Sequence, residues 1–292
     1  MAEHQFSGIF TALLTPFDKN NKLNEKALCD LVKMNLDKGV SGFYVGGSTA
    51  EAFLLTDDER RAVYEIVVAE AKGKCKLLAH IGALSTDQAI GFAKHAERLG
   101  YDAISSVAPF YFKYTFAELK QYYFDIVNEV ALPMIVYHFP NFSGVSLTAA
   151  NVGEFLQDDR FAGIKYTSSD YFMMEQIKSA FPDKVVFNGF DETFLAGISL
   201  GADGGIGSTY NFMADKFVKI KKLYAEGKMQ EAKAVQQEAN AIITVLCQIG
   251  VMQAEKEVLN QMGLDFGHCR RPFAPVTEEQ KKLIAEKIIP YI

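Results

Sequence analysis

Short apolar runs alternate along this chain with longer stretches in which apolar positions recur every three or four residues. The short runs predict buried strands at residues 9–14, 42–45, 76–81, 103–106, 134–138, 161–165, 185–188 and 204–207. The longer stretches predict helices at 25–38, 57–72, 86–99, 116–130, 149–156, 171–181 and 192–200. Three helix starts carry a hydroxyl followed three residues on by Glu or Gln: Thr56 with Glu59, Ser85 with Gln88, and Thr115 with Glu118. In each, the hydroxyl accepts an unpaired backbone N–H and the later side chain reaches back. Eight strands in strict alternation with helices predict an α/β protein with a parallel sheet, closed as a (β/α)8 TIM barrel. A doubly wound open sheet is the structural rival, but no Gly-x-Gly-x-x-Gly follows the first strand.

After the eighth strand the pattern is helical throughout residues 211–249, with two further helical segments to the end. No Pro/Gly/Ser-rich linker intervenes. The expected organisation is a barrel over residues 1–210 and, over 211–292, a closing helix with a C-terminal helical extension packed on it.

Composition narrows the function classes. With 292 residues, 49% of them hydrophobic, the chain can bury one large core or two modest ones. The net charge is −6 and the basic residues are dispersed, so no stripe suggests nucleic acid. No apolar run is long enough to span a bilayer, and Met1-Ala2-Glu3-His4-Gln5 lacks the regions of a signal peptide. Cys29, Cys75, Cys247 and Cys269 lie far apart and read as reduced thiols of a cytoplasmic protein. His4, His80, His95, His138 and His268 show no metal-ligand spacing, so no metal is expected.

In such a barrel the chemistry sits at the C-terminal ends of the strands. The sixth strand ends at Lys165, after an apolar run of small residues. Alone, a lysine closing a strand reads as a solvated cation; at pKa ~10.4 only about one in 2,500 is neutral at pH 7. Burial can lower the pKa to ~7.5, at a cost of roughly 4 kcal/mol, and a neutral buried amine can attack a carbonyl to form an imine. Tyr137 ends the preceding strand, 28 residues earlier, so the two side chains can meet across neighbouring strand ends. A phenol there can pass a proton; standing alone it would be a packing residue. His138 has the opposite parity and is expected to face the helix layer.

Ser48 and Thr49 follow two glycines at a strand-to-loop turn, either an ordinary tight turn or a holder for a carboxylate. No Lys or Arg lies between Gly39 and Glu59, so an anion there would rely on hydrogen bonds. Asp191 and Glu192 open a helix, Asp191 as a good N-cap and Glu192 in the first turn, and a cap at a barrel mouth can also face a ligand. Ser208 follows a glycine-rich strand at a place where many barrels bind phosphate. Yet residues 185–215 contain no Lys or Arg and include Asp191, Glu192 and Asp203, which suits the hydroxyls of a sugar chain better than a phosphate.

The Gly-Gly-Ser-Thr turn, Tyr137 with Pro140 behind it, Gly-Ile-Lys165-Tyr-Thr167, Gly189-Phe-Asp191-Glu192 and Gly-Ile-Gly-Ser208-Thr together resemble the dihydrodipicolinate synthase/N-acetylneuraminate lyase superfamily. The resemblance runs from about Ser7 to Pro275, and the stretch from Gly189 to Asn211 is most similar to the sialic-acid-cleaving branch. It implies a class I aldolase without a cofactor that reversibly cleaves N-acetylneuraminate to N-acetylmannosamine and pyruvate, and that assembles as a homotetramer in which Tyr111 approaches a neighbour's site. It also implies that Lys165 forms the imine, that Tyr137 moves the proton of the C4 hydroxyl, and that Ser48 and Thr49 hold the carboxylate. Thr167, Gly189, Asp191, Glu192 and Ser208 would contact the polyhydroxyl tail.

Two positions depart from the family pattern. Ala50 stands where Gly usually follows Ser-Thr, and its methyl could narrow the carboxylate pocket or change the turn. Phe142 stands where the dihydrodipicolinate synthase branch carries an arginine for a second carboxylate, which argues against an aspartate-semialdehyde substrate. The rival functions are another 2-keto acid lyase of the superfamily, such as dihydrodipicolinate synthase or a 2-keto-3-deoxy sugar acid aldolase, and a ligand-binding barrel without catalysis.

Overall fold

A computed structural model describes residues 5–292; residues 1–4, including His4 and most of the segment read for a signal peptide, lie outside the described residues. Eight parallel strands close into a barrel in sequence order: β1 (Gly8–Ala12), β2 (Gly42–Val45), β3 (Lys76–His80), β4 (Ala103–Val107), β5 (Met134–His138), β6 (Phe161–Tyr166), β7 (Val185–Asn188) and β8 (Gly204–Gly207). β1 pairs with both β2 and β8, which leaves no edge strand. The strands are buried almost throughout on both faces, which is why they read as continuous apolar runs.

Period two sorts their side chains. Phe10, Tyr44, Leu78, Ile135, Tyr137, Phe187 and Ile206 fill the barrel interior, while their neighbours in sequence pack under the helices. His138 follows that rule: it stacks on the Tyr166 ring, with centroids 5.2 Å apart, on the outer face.

The outer layer comprises α1 (Glu25–Asp37), α2 (Asp57–Ala71), α3 (Thr86–Leu99), α4 (Phe116–Glu129), the one-turn α5 (Pro140–Ser143), α6 (Ala149–Leu156), α7 (Tyr171–Ala180), α8 (Phe194–Ser199) and α9 (Tyr210–Ala225). Thr56 and Thr115 form the expected reciprocal caps. Ser85 accepts from the Gln88 N–H, but the Gln88 side chain donates to Asp57 Oδ1 at 2.7 Å rather than reaching back, because the start of α2 presents a stronger acceptor. The stretch expected to be helical over 211–249 divides into α9 and α10 (Met229–Ile249), and the chain turns at Gly227 with φ +74°. α9 lies against β1: the Asn211 side chain accepts from the Leu14 N–H and donates to the Ala12 carbonyl. α10, α11 (Val251–Gln261) and α12 (Glu278–Lys287) form the C-terminal helical extension, and α10 and α11 reach the barrel mouth.

Candidate active site

A cavity of about 450 Å³ opens at the C-terminal ends of the strands. All nine residues singled out from sequence line it: Ser48, Thr49, Tyr137, Lys165, Thr167, Gly189, Asp191, Glu192 and Ser208. They come from five strands and the turns that follow them, so closure of the barrel, not nearness in sequence, collects them.

At one end, Tyr137 and Lys165 are paired residues of adjacent strands. The Lys165 Nζ lies 4.1 Å from the centre of the Tyr137 ring and 4.3 Å from that of Tyr44. Both ring faces can stabilise an ammonium, but removal from water outweighs them. Burial brings the amine down to about 7, opposed only by the charge of Asp191. At neutral pH roughly half of such amines are free to act as nucleophiles. No carboxylate forms a salt bridge with Lys165 among the described residues.

Tyr137 is also buried, and its phenol is pushed above its usual range by desolvation, which the neighbouring Ser48 and Thr167 hydroxyls partly offset. The Thr167 Oγ1 faces this group yet completes no hydrogen bond of good geometry. A buried hydroxyl left without a partner is available to a ligand. Beside it, Ser48 and Thr49 lie in a three-residue 3-10 turn closed by Ala50. Ala50 is buried, keeps a negative φ and accepts from Thr15 Oγ1 at 2.9 Å, so its methyl fits without backbone strain.

At the other end stands Asp191. Read as an N-cap, it instead lies inside a 3-10 turn (Asp191–Thr193) and does not cap its own helix. Its Oδ2 accepts from the N–H and the hydroxyl of Thr209, at 2.9 and 2.7 Å, and so serves the start of α9. Pairing of β7 with β8 brings those donors to it. Its Oδ1 is buried without a partner, and burial raises the carboxyl to about 6. Gly207 makes room for it, since a Cβ there would stand 1.8 Å from Oδ1. Glu192 is exposed at the rim.

Comparison with known proteins decides the family. The dihydrodipicolinate synthetase family matches residues 5–289. The chain belongs to that family. Within the dihydrodipicolinate synthetase family it is 41% identical to the N-acetylneuraminate lyase of Clostridium perfringens over 273 residues, 93% of this chain and 95% of that one. Its structure is similar to that of CdNal from Clostridium difficile in complex with mannosamine, with a TM-score of 0.96 at 39% identity over 98% and 99% of the two chains. It is also similar to N-acetylneuraminate lyase from Fusobacterium nucleatum complexed with pyruvate, with a TM-score of 0.95 at 36% identity over the whole of both chains.

One residue of this family member was not singled out from the strand ends. Glu255, on α11, is fully buried and accepts from the Ser208 hydroxyl at 2.6 Å. Desolvation raises its carboxyl to about 8, opposed by the Ser208 bond and reinforced by the charge of Asp191. The sequence held a signal: Val251, Met252, Val258, Leu259 and Met262 flank Glu255 at helical spacing, so it stands in the middle of an apolar stripe. Among the described residues, no three His, Cys, Asp or Glu side chains gather as for a metal ion, and no helix is long and apolar enough to cross a membrane.

Proposed function

We propose that this chain is a class I aldolase that cleaves N-acetylneuraminate, reversibly, to N-acetylmannosamine and pyruvate. The observation that carries the reading is a buried amine at Lys165, without a salt bridge among the described residues and held against Tyr137 at the barrel mouth. The names of the relatives at about 40% identity support the substrate.

In this reading the neutral Lys165 amine adds to the C2 ketone of the open-chain sugar acid and water leaves, giving an imine. Its protonated nitrogen is the electron sink, so the reaction calls for no cofactor. Tyr137, with the substrate carboxylate, removes the C4 hydroxyl proton as the C3–C4 bond breaks. The C3–C4 electron pair becomes the enamine double bond, the C4 oxygen becomes the aldehyde of N-acetylmannosamine, and the nitrogen takes up the electrons of the former C=N bond. Protonation at C3 and hydrolysis then release pyruvate and restore Lys165. Ser48 and Thr49 hold the carboxylate, and Thr167, Gly189, Asp191, Glu192 and Ser208 meet the hydroxylated tail.

Two observations favour this tail over a second carboxylate: Phe142, not a cation, is at the cavity, and the far end is acidic. Tyr111 projects with 82% of its surface exposed and φ +83°, an uncommon backbone for a non-glycine residue, which supports its use against a neighbour in a homotetramer. Four cysteines, none in a disulfide, suit a reducing compartment and support a cytoplasmic protein whose partners are small molecules rather than nucleic acid or membrane.

Borohydride reduction in the presence of pyruvate tests the reading. The expected result is a mass gain of one reduced pyruvyl group at Lys165, together with release of pyruvate from N-acetylneuraminate. An unmodified Lys165 would favour a non-catalytic barrel, and turnover of aspartate semialdehyde with none of sialic acid would favour the synthase.

A further inference from the structure

Helix α11 carries three consecutive charged residues, Glu255, Lys256 and Glu257, and all three are buried. Adjacent charges on a helix normally point to water, and burying them is costly unless each finds a partner. The first two find partners on opposite sides of the cleft. Glu255 holds the Ser208 hydroxyl after β8. Lys256, 1% exposed, forms an ion pair with Glu51 at 2.5 Å, donates to the His268 carbonyl at 3.2 Å, and lies over the Phe17 ring. The second Glu51 oxygen accepts from the Arg270 N–H at 2.6 Å.

Glu51 directly follows Ser48-Thr49-Ala50 and keeps a left-handed backbone, φ +56°. A non-glycine residue holds that conformation only where its surroundings enforce it, and the buried Lys256 pair supplies the constraint. Neither Glu255 nor Lys256 lines the cavity. The two ends of the cleft are therefore held from behind by neighbouring residues of one helix.

We propose that Glu255 and Lys256 are paired positioning residues, one for each end of the substrate: Glu255 sets Ser208 against the sugar chain, and Lys256, through Glu51, sets the Ser48–Thr49 turn against the carboxylate. This rests on the aldolase reading above. It makes α11 the gauge of the distance between the two substrate ends, and so of the length of sugar acid accepted.

The test is steady-state kinetics in the direction of synthesis, varying pyruvate and N-acetylmannosamine separately. Glu255→Ala raises the KM for N-acetylmannosamine about tenfold, the loss expected for one hydrogen bond to a carboxyl, and leaves that for pyruvate within about twofold. Glu255→Gln, which keeps an oxygen for Ser208, recovers most of the loss. Lys256→Met shows the reverse split, raising the KM for pyruvate. Because it strands the buried Glu51 charge, the double variant Glu51→Gln/Lys256→Met, which removes both charges, is measured beside it and shows the same pyruvate shift.

If both KM values move together in these variants, or Glu255→Gln recovers nothing, the residues only stabilise the fold and the proposal is overturned. A wild-type protein that traps pyruvate at Lys165 but joins it to no N-acetylmannosamine overturns the substrate assignment and this proposal with it. Normal wild-type synthesis with unsplit variants overturns the positioning proposal alone.

Discussion

Lys165 at one end of the cleft and Asp191 at the other are both buried, yet burial moves them in opposite directions. At the Lys165 end it removes a proton, taking the amine down to about 7. At the Asp191 end it retains protons, raising Asp191 to about 6 and Glu255 to about 8. One cause, the penalty on the charged form, acts on a base and on two acids. Near pH 7 one end thereby gains a nucleophile, while at the other Glu255, behind Ser208, keeps its proton and Asp191, raised only to about 6, stays mostly ionised as an acceptor for hydroxyls.

Lys165→Ala removes the first end outright. Cleavage falls by about 10⁴-fold or more, as for loss of a covalent nucleophile, because no second amine lines the cavity among the described residues; near-normal pyruvate release by that variant would refute the assignment. Tyr137→Phe keeps the amine and its packing but removes the proton carrier. It lowers kcat by about 10²–10³-fold while borohydride trapping of pyruvate persists, and equal damage to both steps would count against proton transfer.

Gly207→Ala attacks the other end. Its Cβ would overlap the Asp191 carboxylate, so that group must shift. The KM for N-acetylmannosamine rises about tenfold, a misfit of about 1–3 kcal/mol, with pyruvate trapping intact. An unchanged KM would show that Asp191 does not meet the tail.

The smallest effect is on stability. Because the Glu255 carboxyl is raised in the fold to about 8, it binds its proton more tightly there than in the unfolded chain. Its contribution is complete below the unfolded pKa, near 4.5, and is lost as pH rises toward 8 and beyond. Glu255→Gln cannot ionise, so its melting temperature falls less between pH 5 and 8, by on the order of a few degrees. Parallel wild-type and variant melting curves across that range would contradict the raised carboxyl.

The asymmetry also explains what the sequence revealed. The barrel was legible because strands buried on both faces are short and continuously apolar, and β2, β5, β7 and β8 begin and end where the pattern placed them. Lys165 and Tyr137 were legible because each is the last inward-facing residue of such a strand, and adjacency of strands follows from order in a closed barrel. The far end was less so. Asp191 has the sequence of a cap, and only closure of β7 onto β8 reveals that its acceptor serves Thr209. Glu255 and Lys256 belong to a helix with no strand-end signature, and their partners Ser208 and Glu51 lie 47 and 205 positions away. The apolar stripe around Glu255 marks its burial, but no periodicity names a partner docked over so long a range.

The central claim is that desolvation alone leaves about half of the Lys165 amine free of its proton at neutral pH. The rate of pyruvate imine formation, measured under single-turnover conditions from pH 5 to 10, tests it most directly. A rate that falls about tenfold per unit below pH 7, with its half-point near 7, is the predicted result. A half-point near 10, where an ordinary lysine titrates, would contradict it.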